Sequence, residues 1–192
     1  MTMTIKKSLH ADLEYFELCK RILEEGETQS NRTGVDTVSI FGHQSRYDLR
    51  NGFPLLTSKK INFEHVKAEL FWFLKGDMNI NKLPKQSQKI WKAWADPETG
   101  DLGPIYGKQW VNWSDYDGVG LNQLQALIET AKRNPLDRRL IVSAWNYADL
   151  PKMKLPPCHI LFQIKCYPPF MDLMMYQRSC DTPVGVPYNI AS

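Results

Sequence analysis

Four residue types in this chain could do chemistry together. Cys158 lies in "LPPCHILFQ" (155–163), behind two prolines and ahead of an apolar run. A cysteine nucleophile needs thiolate character at neutral pH, and that needs a cation close by, because the free thiol titrates near pH 8.5. His159 is adjacent, but alternating strand side chains point to opposite faces, which makes it a poor base for Cys158. Arg178, in "YQRSCD" (176–181), is the better activator once its strand pairs beside that of Cys158. Arg32, Arg138, Arg139 and Arg178 all stand at element edges. Their guanidinium forks suit a phosphate dianion, which they can bind bidentately. Glu69, in "AELFWFL", sits on a helix otherwise apolar around it. Its carboxylate either faces water or ends in a structural ion pair, or, partly buried, has a raised pKa and can pass protons. Asn189, in "GVPYN", follows a rigid turn and either caps a helix or uses its side-by-side donor and acceptor to read a base. Its pattern complements uracil and opposes cytosine.

These side chains must be carried by ordered elements. Residues 11–25, with Leu13, Phe16, Leu18, Ile22 and Leu23, approximate an amphipathic helix stopped at Gly26. Asn31 to Gly34 read as a loop, Val38 to Leu49 as strand with a break at Gly42, and "NGFP" (51–54) as a turn. Residues 62–75 predict a mostly buried helix ending at Gly76. Residues 96–110, "DPETGDLGPIYGKQW", predict a long Gly- and Pro-rich loop forming a functional wall. "LNQLQALIETAKRNP" (121–135) is an amphipathic helix closed by Asn134-Pro135, and "RRLIVSAWN", "HILFQIKCY" and "MDLMMYQRS" are strand-like. Helices and strands interleave without a βαβ rhythm, which predicts an α+β class.

Composition sets the outer bounds. The 192 residues fit one domain spanning 1–192, and 43% hydrophobic content supports a sizeable core. A net charge of +3 is too small to call for nucleic acid. No apolar run approaches the roughly 18–20 residues that span a membrane. Cys19, Cys158, Cys166 and Cys180 make no CxxC pair or zinc-like spacing, so no metal is expected and the thiols read as reduced, in a cytoplasmic compartment.

The blocks "NRTG" (31–34), "GFPLLTSKK" (52–60), "ELFWFLKGD" (69–77), "IWKAWAD" (90–96), "GDLGPIYGKQW" (100–110), "DRRLIVSAWN" (137–146), "LPPCH" (155–159), "YQRSCD" (176–181) and "PYNIAS" (187–192) stand in order. In these the chain resembles the thymidylate synthase family from about residue 12 to its last residue. The resemblance implies a large mixed β-sheet packed with helices, with the sheet at a homodimer interface. It implies that Cys158 adds to C6 of dUMP, activating C5 toward the one-carbon unit of 5,10-methylenetetrahydrofolate. Arg178 would activate Cys158 and, with Arg32 and Ser179, hold the phosphate; Arg138 and Arg139 would reach it from the second subunit. Glu69 is implied as the hub of a proton-moving water network, with Tyr106 nearby. Gln177, Asp181 and Asn189 are implied on the nucleotide side, and Trp91, Trp94, Asp181 and His159 on the folate side.

The chain departs from the family pattern in "TPVGVPY" (182–188), where Thr182, Pro183, Val184 and Val186 replace bulkier apolar residues. That segment is implied to line the folate side of the pocket, where hydride gives a methyl product and water gives a hydroxymethyl one. A dUMP hydroxymethylase is therefore the alternative activity, and an inactive nucleotide-binding relative is the alternative of a different class. Family members also continue past the block matching "NIAS". A chain ending at Ser192 is expected to turn over weakly or not at all.

Overall fold

The computed structural model describes residues 11–31, 34–114 and 119–189. In chain order they form α1 (Ala11–Glu25), β1 (Glu27–Gln29), β2 (Thr37–Ser39), α2 (Phe63–Leu74), α3 (Gln88–Trp91) and α4 (Tyr106–Val111). Then come β3 (Trp113–Ser114), β4 (Gly120–Leu121), α5 (Gln123–Arg133), β5 (Ile141–Ser143), β6 (His159–Tyr167), β7 (Phe170–Gln177) and α6 (Gly185–Asn189). The class is α+β, as the sequence predicts. The described sheets are small and antiparallel, in the orders β1-β2, β3-β4 and β5-β6-β7, in place of the large mixed sheet expected from resemblance. The described residues fall into two compact units, one made of those up to Phe63 with those from Asp181 on, the other of Glu64–Cys180.

In the first unit, α1 is anchored at its start. The buried Asp12 carboxylate accepts the backbone N–H groups of Thr57 and Ser58 and both their hydroxyls. The strand expected over 38–49 is cut to Thr37–Ser39. A ladder needs a partner, and β1 offers only three residues. Beyond it Gly42 takes φ +84°, and Asp48 turns the chain into a 3₁₀ segment, Leu49–Asn51, by accepting from the Arg50 N–H.

The second unit holds a core built around Trp72, Phe73, Trp91, Tyr106 and Trp110, with Leu102, Ile105, Leu140 and Val142 fully buried. α2 buries Val66, Trp72 and Phe73 and leaves Phe71 59% exposed, so it is buried along one face where the sequence predicts burial of most of it. Gly76 ends it at φ +73°, a conformation that favours glycine, with its N–H on the Phe73 carbonyl. The wall expected over 96–110 is ordered by its own polar groups. Asp96 Oδ1 accepts from the N–H groups of Glu98 and Thr99 and the Thr99 hydroxyl, and Asp101 Oδ2 accepts from Gly103 N–H. Its last residues are helix, not loop: α4 starts at Tyr106, and Gln109 Nε2 folds back onto the Pro104 carbonyl at 2.8 Å. α4 lies close on α2, because a Cβ at Gly107 would meet the Phe73 carbonyl oxygen at 2.4 Å.

α5 is capped at Asn122, whose side chain accepts from Gln125 N–H, and it carries Lys132 and Arg133 in its last turn, opposite in sign to the helix dipole there. Alternation works along β5, where Leu140, Val142 and Ala144 bracket the strand and point inward while Ile141 is 44% exposed. On β6, Phe162, Ile164 and Cys166 pack on the core. Most of β7 is exposed, including Met171, Leu173, Met174 and Tyr176.

Candidate active site

Cys158 sits immediately before β6, half-buried, after the fully buried Pro157. The strand pairing that the sequence left open is present: β6 and β7 are antiparallel neighbours, and Arg178 N–H donates to the Cys158 carbonyl at 2.9 Å. The Arg178 side chain turns back along the same loop. Its Nε donates to the Pro157 carbonyl at 2.8 Å and its Nη2 to the Pro156 carbonyl at 3.0 Å. Prolines have fixed φ and no N–H, so their carbonyls are the backbone groups they can offer, and one guanidinium fork takes two of them. The loop ahead of Cys158 is thereby tied to the end of β7. The pairing also carries a bulge between His159 and Leu161, a device that re-aims side chains beside functional sites.

Tyr106 reaches this loop from the first residue of α4. Its hydroxyl oxygen accepts the Cys158 N–H at 2.7 Å. Burial pushes the phenol well above its ordinary pKa, and the negative charge of a Cys158 thiolate and of Glu69 pushes it further, against the opposing pull of the Cys158 N–H. Tyr106 is held by stacking on Phe73, ring centroids 4.7 Å apart, and by an edge contact with the His159 ring at 6.0 Å. His159 thus lies against Tyr106.

Glu69, on α2, has its Oε1 2.6 Å from the Trp91 indole nitrogen, which donates to it. Burial raises the Glu69 pKa, and the Trp91 hydrogen bond only partly offsets this. Glu69 is close enough to Tyr106 for its charge to be felt there. Trp91 is itself buried at 6% exposure, with its polar edge on Glu69, whereas Trp94, in edge contact with Trp91 at 6.1 Å, is 40% exposed. Of this pair, Trp94 offers the open aromatic surface.

The remaining candidates belong partly to the second unit and partly to the first. Gln177 Nε2 donates to the Ser179 carbonyl at 3.1 Å, which shapes the end of β7. The Arg138 carbonyl accepts from Gln163 Nε2 at 3.0 Å. Gln163 lies five residues along β6 from Cys158, roughly 16 Å at strand rise, so Arg138 is anchored far from Cys158. The Arg139 side chain is 88% exposed and 3.8 Å from Asp137. In the first unit, Asp181 Oδ1 accepts from Val184 N–H at 2.7 Å, which sets the turn into α6, and Asn189 is the half-buried last residue of that helix. Arg32 lies outside the described residues.

Sequence reading missed two features. Trp145 packs its ring 5.5 Å from the Arg178 guanidinium carbon. Gln109, Asn146 and Asp149 form a buried polar cluster. Gln109 Nε2 donates to Asp149 Oδ2 at 2.9 Å, Asn146 Nδ2 to Gln109 Oε1 at 3.2 Å, and Lys152 Nζ to Asp149 Oδ1 at 2.9 Å. The signal available was polar residues, Gln109 and Asn146, set among core aromatics and aliphatics in "YGKQW" and "SAWN".

Comparison with known proteins places the chain in a family. The sequence model described as thymidylate synthase matches residues 13–192. Two curated thymidylate synthases, from the Acyrthosiphon pisum strains APS and Tuc7 of Buchnera aphidicola, are each 48% identical over 179 residues. Those alignments cover 93% of this chain and 67% of each relative.

Proposed function

The chain belongs to the thymidylate synthase family, and from that premise we propose that it transfers a one-carbon unit from 5,10-methylenetetrahydrofolate to C5 of dUMP, giving dTMP. The observation that carries the reading is the alignment of Glu69, Tyr106 and Cys158: a buried carboxyl of raised pKa, a phenol that feels its charge, and a cysteine whose backbone N–H donates to that phenol. Cys158 Sγ bonds to C6 of the pyrimidine, and the C5–C6 electron pair moves toward O4, leaving C5 nucleophilic. Glu69, its pKa raised by burial, exchanges protons with the base through water, and Tyr106 holds the Cys158 loop while a proton is moved at C5. The folate cosubstrate supplies the one-carbon unit and the hydride that reduces it to methyl. Arg178, Arg32 and Ser179 hold the phosphate, with Gln177 and Asp181 beside the nucleotide. Asn189 reads uracil N3–H and O4, and Trp94, supported by Trp91, takes the folate ring system with His159 behind it. The two relatives named thymidylate synthase favour a methyl product over the hydroxymethyl alternative.

We read residues 1–192 as one catalytic domain, since the family match runs across both units, and we place it in the cytoplasm; no described helix is long and apolar enough to cross a membrane. The active form is a homodimer with Arg138 and Arg139 given to the partner's phosphate. The exposed apolar side chains of β7, the exposed Arg139 and the anchoring of Arg138 well away from Cys158 support it. Sedimentation equilibrium should give twice 22.3 kDa.

The test is product analysis with dUMP and methylenetetrahydrofolate. A 5-methyl nucleotide, with rising dihydrofolate absorbance, is the expected result. A 5-hydroxymethyl product without that rise would replace the reading with the hydroxymethylase. Cys158→Ser should lose the covalent adduct with 5-fluoro-dUMP; an adduct that survives overturns the nucleophile.

A further inference from the structure

We propose that Trp145 is a positioning residue for Arg178: its ring face fixes the guanidinium against the Pro156 and Pro157 carbonyls and so sets the loop that presents Cys158. The inference rests on Arg178 and Cys158 belonging to the reacting centre. Trp145 follows β5, between Ala144 and Asn146, which are both buried. The burial pattern just past the strand puts Ala144 and Asn146 inward and leaves Trp145 half-buried. The half-buried ring there has Arg178 at 5.5 Å. A guanidinium that gives Nε and Nη2 to two carbonyls still pivots about them, and an aromatic face under the plane removes that freedom.

The backbone that carries the ring is itself fixed, through the Trp145 main-chain N–H. Trp145 N–H donates to the Ser143 hydroxyl at 3.2 Å. Next to it, Asn146 is locked by Gln109 and Asp149, and its Oδ1 accepts from Ala148 N–H at 3.2 Å. Gln109 lies on α4, three residues after Tyr106. One buried cluster therefore anchors both the segment that aims Arg178 and the helix that aims Tyr106, the two groups that hold the Cys158 loop.

The experiment compares Trp145→Leu, which keeps an apolar group without a π face, with Trp145→Phe, which keeps the face. Alkylation of Cys158 by iodoacetamide, followed by peptide mapping, should slow roughly threefold to tenfold in Trp145→Leu, with dUMP affinity falling by a similar factor. Trp145→Phe should stay within about twofold of wild type. In an Arg178→Lys background, Trp145→Leu should add nothing. Equal behaviour of the Leu and Phe variants, or additive effects with Arg178→Lys, overturns the proposal. Should the Leu variant fold poorly, the wild-type chain decides: the Arg178 Nε–H resonance, assigned by its loss in Arg178→Lys, must carry the ring-current shift of an indole face, and an unshifted resonance also overturns it. Failure of the functional reading would show differently, as absence of dTMP with the alkylation pattern intact.

Discussion

Asp12, in the first unit, and Glu69, in the second, are two carboxylates withdrawn from water with opposite results. Burial would raise Asp12, but the hydroxyls of Ser58 and Thr57 and their N–H groups outweigh it, and its pKa is lowered to about 2. Their distances run from 2.6 Å for the Ser58 hydroxyl to 3.0 Å for the Thr57 N–H. Glu69 meets the Trp91 indole, and burial wins, raising its pKa. The difference teaches that burial alone does not set the sign of a shift; the number of donors aimed at the ionised form does. Asp12 is built to stay charged and tie α1 to residues 57–58. Under the proposed function, Glu69 takes a proton and releases it, which a raised pKa suits.

The contrast can be broken at either end. The largest effect belongs to Glu69→Gln, expected to lower turnover by about 10²–10⁴-fold in the dihydrofolate absorbance assay. Its stability should hold or rise, since the amide oxygen still accepts from Trp91. A carboxyl of raised folded pKa costs the fold stability as pH climbs past its ordinary value of 4.5, and the amide removes that cost. Asp12→Asn should lose about 2 kcal/mol at pH 7 by urea unfolding, the worth of a shift from 3.8 to about 2. The folded pKa of Asp12 is depressed, so this stabilisation is full above pH 4 or so and fades as pH falls toward 2. The Asn variant should show no such loss across that window, and a wild-type profile in the variant would reject the assignment. Thr57→Val removes one donor hydroxyl and keeps the N–H, so about 1 kcal/mol is expected. The smallest effect is that of Trp91→Phe. Removing the bond that lowers Glu69 should move the acid limb of the pH–rate profile upward; a downward move would show that Trp91 does not act through Glu69.

Much of the fold was legible because it depends on local pattern. α1, α2 and α5 end where Gly26, Gly76 and Asn134 predict, since helix ends depend on nearby caps and glycines. β6 and β7 follow their apolar runs and the "YPPF" turn. The strand predicted over 38–49 shrank because strand length is set by the partner's length, which no single segment encodes. Tyr106–Trp110 was read as loop because Gly103, Pro104 and Gly107 suggest breaks, yet Gly107 is needed where α4 meets Phe73.

The sequence by itself determined the cast of the site. Cys158 behind two prolines, Glu69 on an apolar helix and Arg178 at a strand end are residue types whose chemistry depends on identity and near neighbours. Only the tertiary structure decided how they meet. The Arg178 fork closes on the Pro156 and Pro157 carbonyls from 21 and 22 residues away, and the Tyr106 hydroxyl meets Cys158 from 52 residues away. The resemblance implied Trp91 on the folate side, and packing placed its indole N–H on Glu69. Trp145 carried no mark in the sequence, because a ring under a guanidinium is defined by the strand pairing that brings Arg178 to it. Hydrogen bonds and ring contacts are short-ranged in space and indifferent to separation along the chain, so the residues can be read in order while their partners are set by the fold.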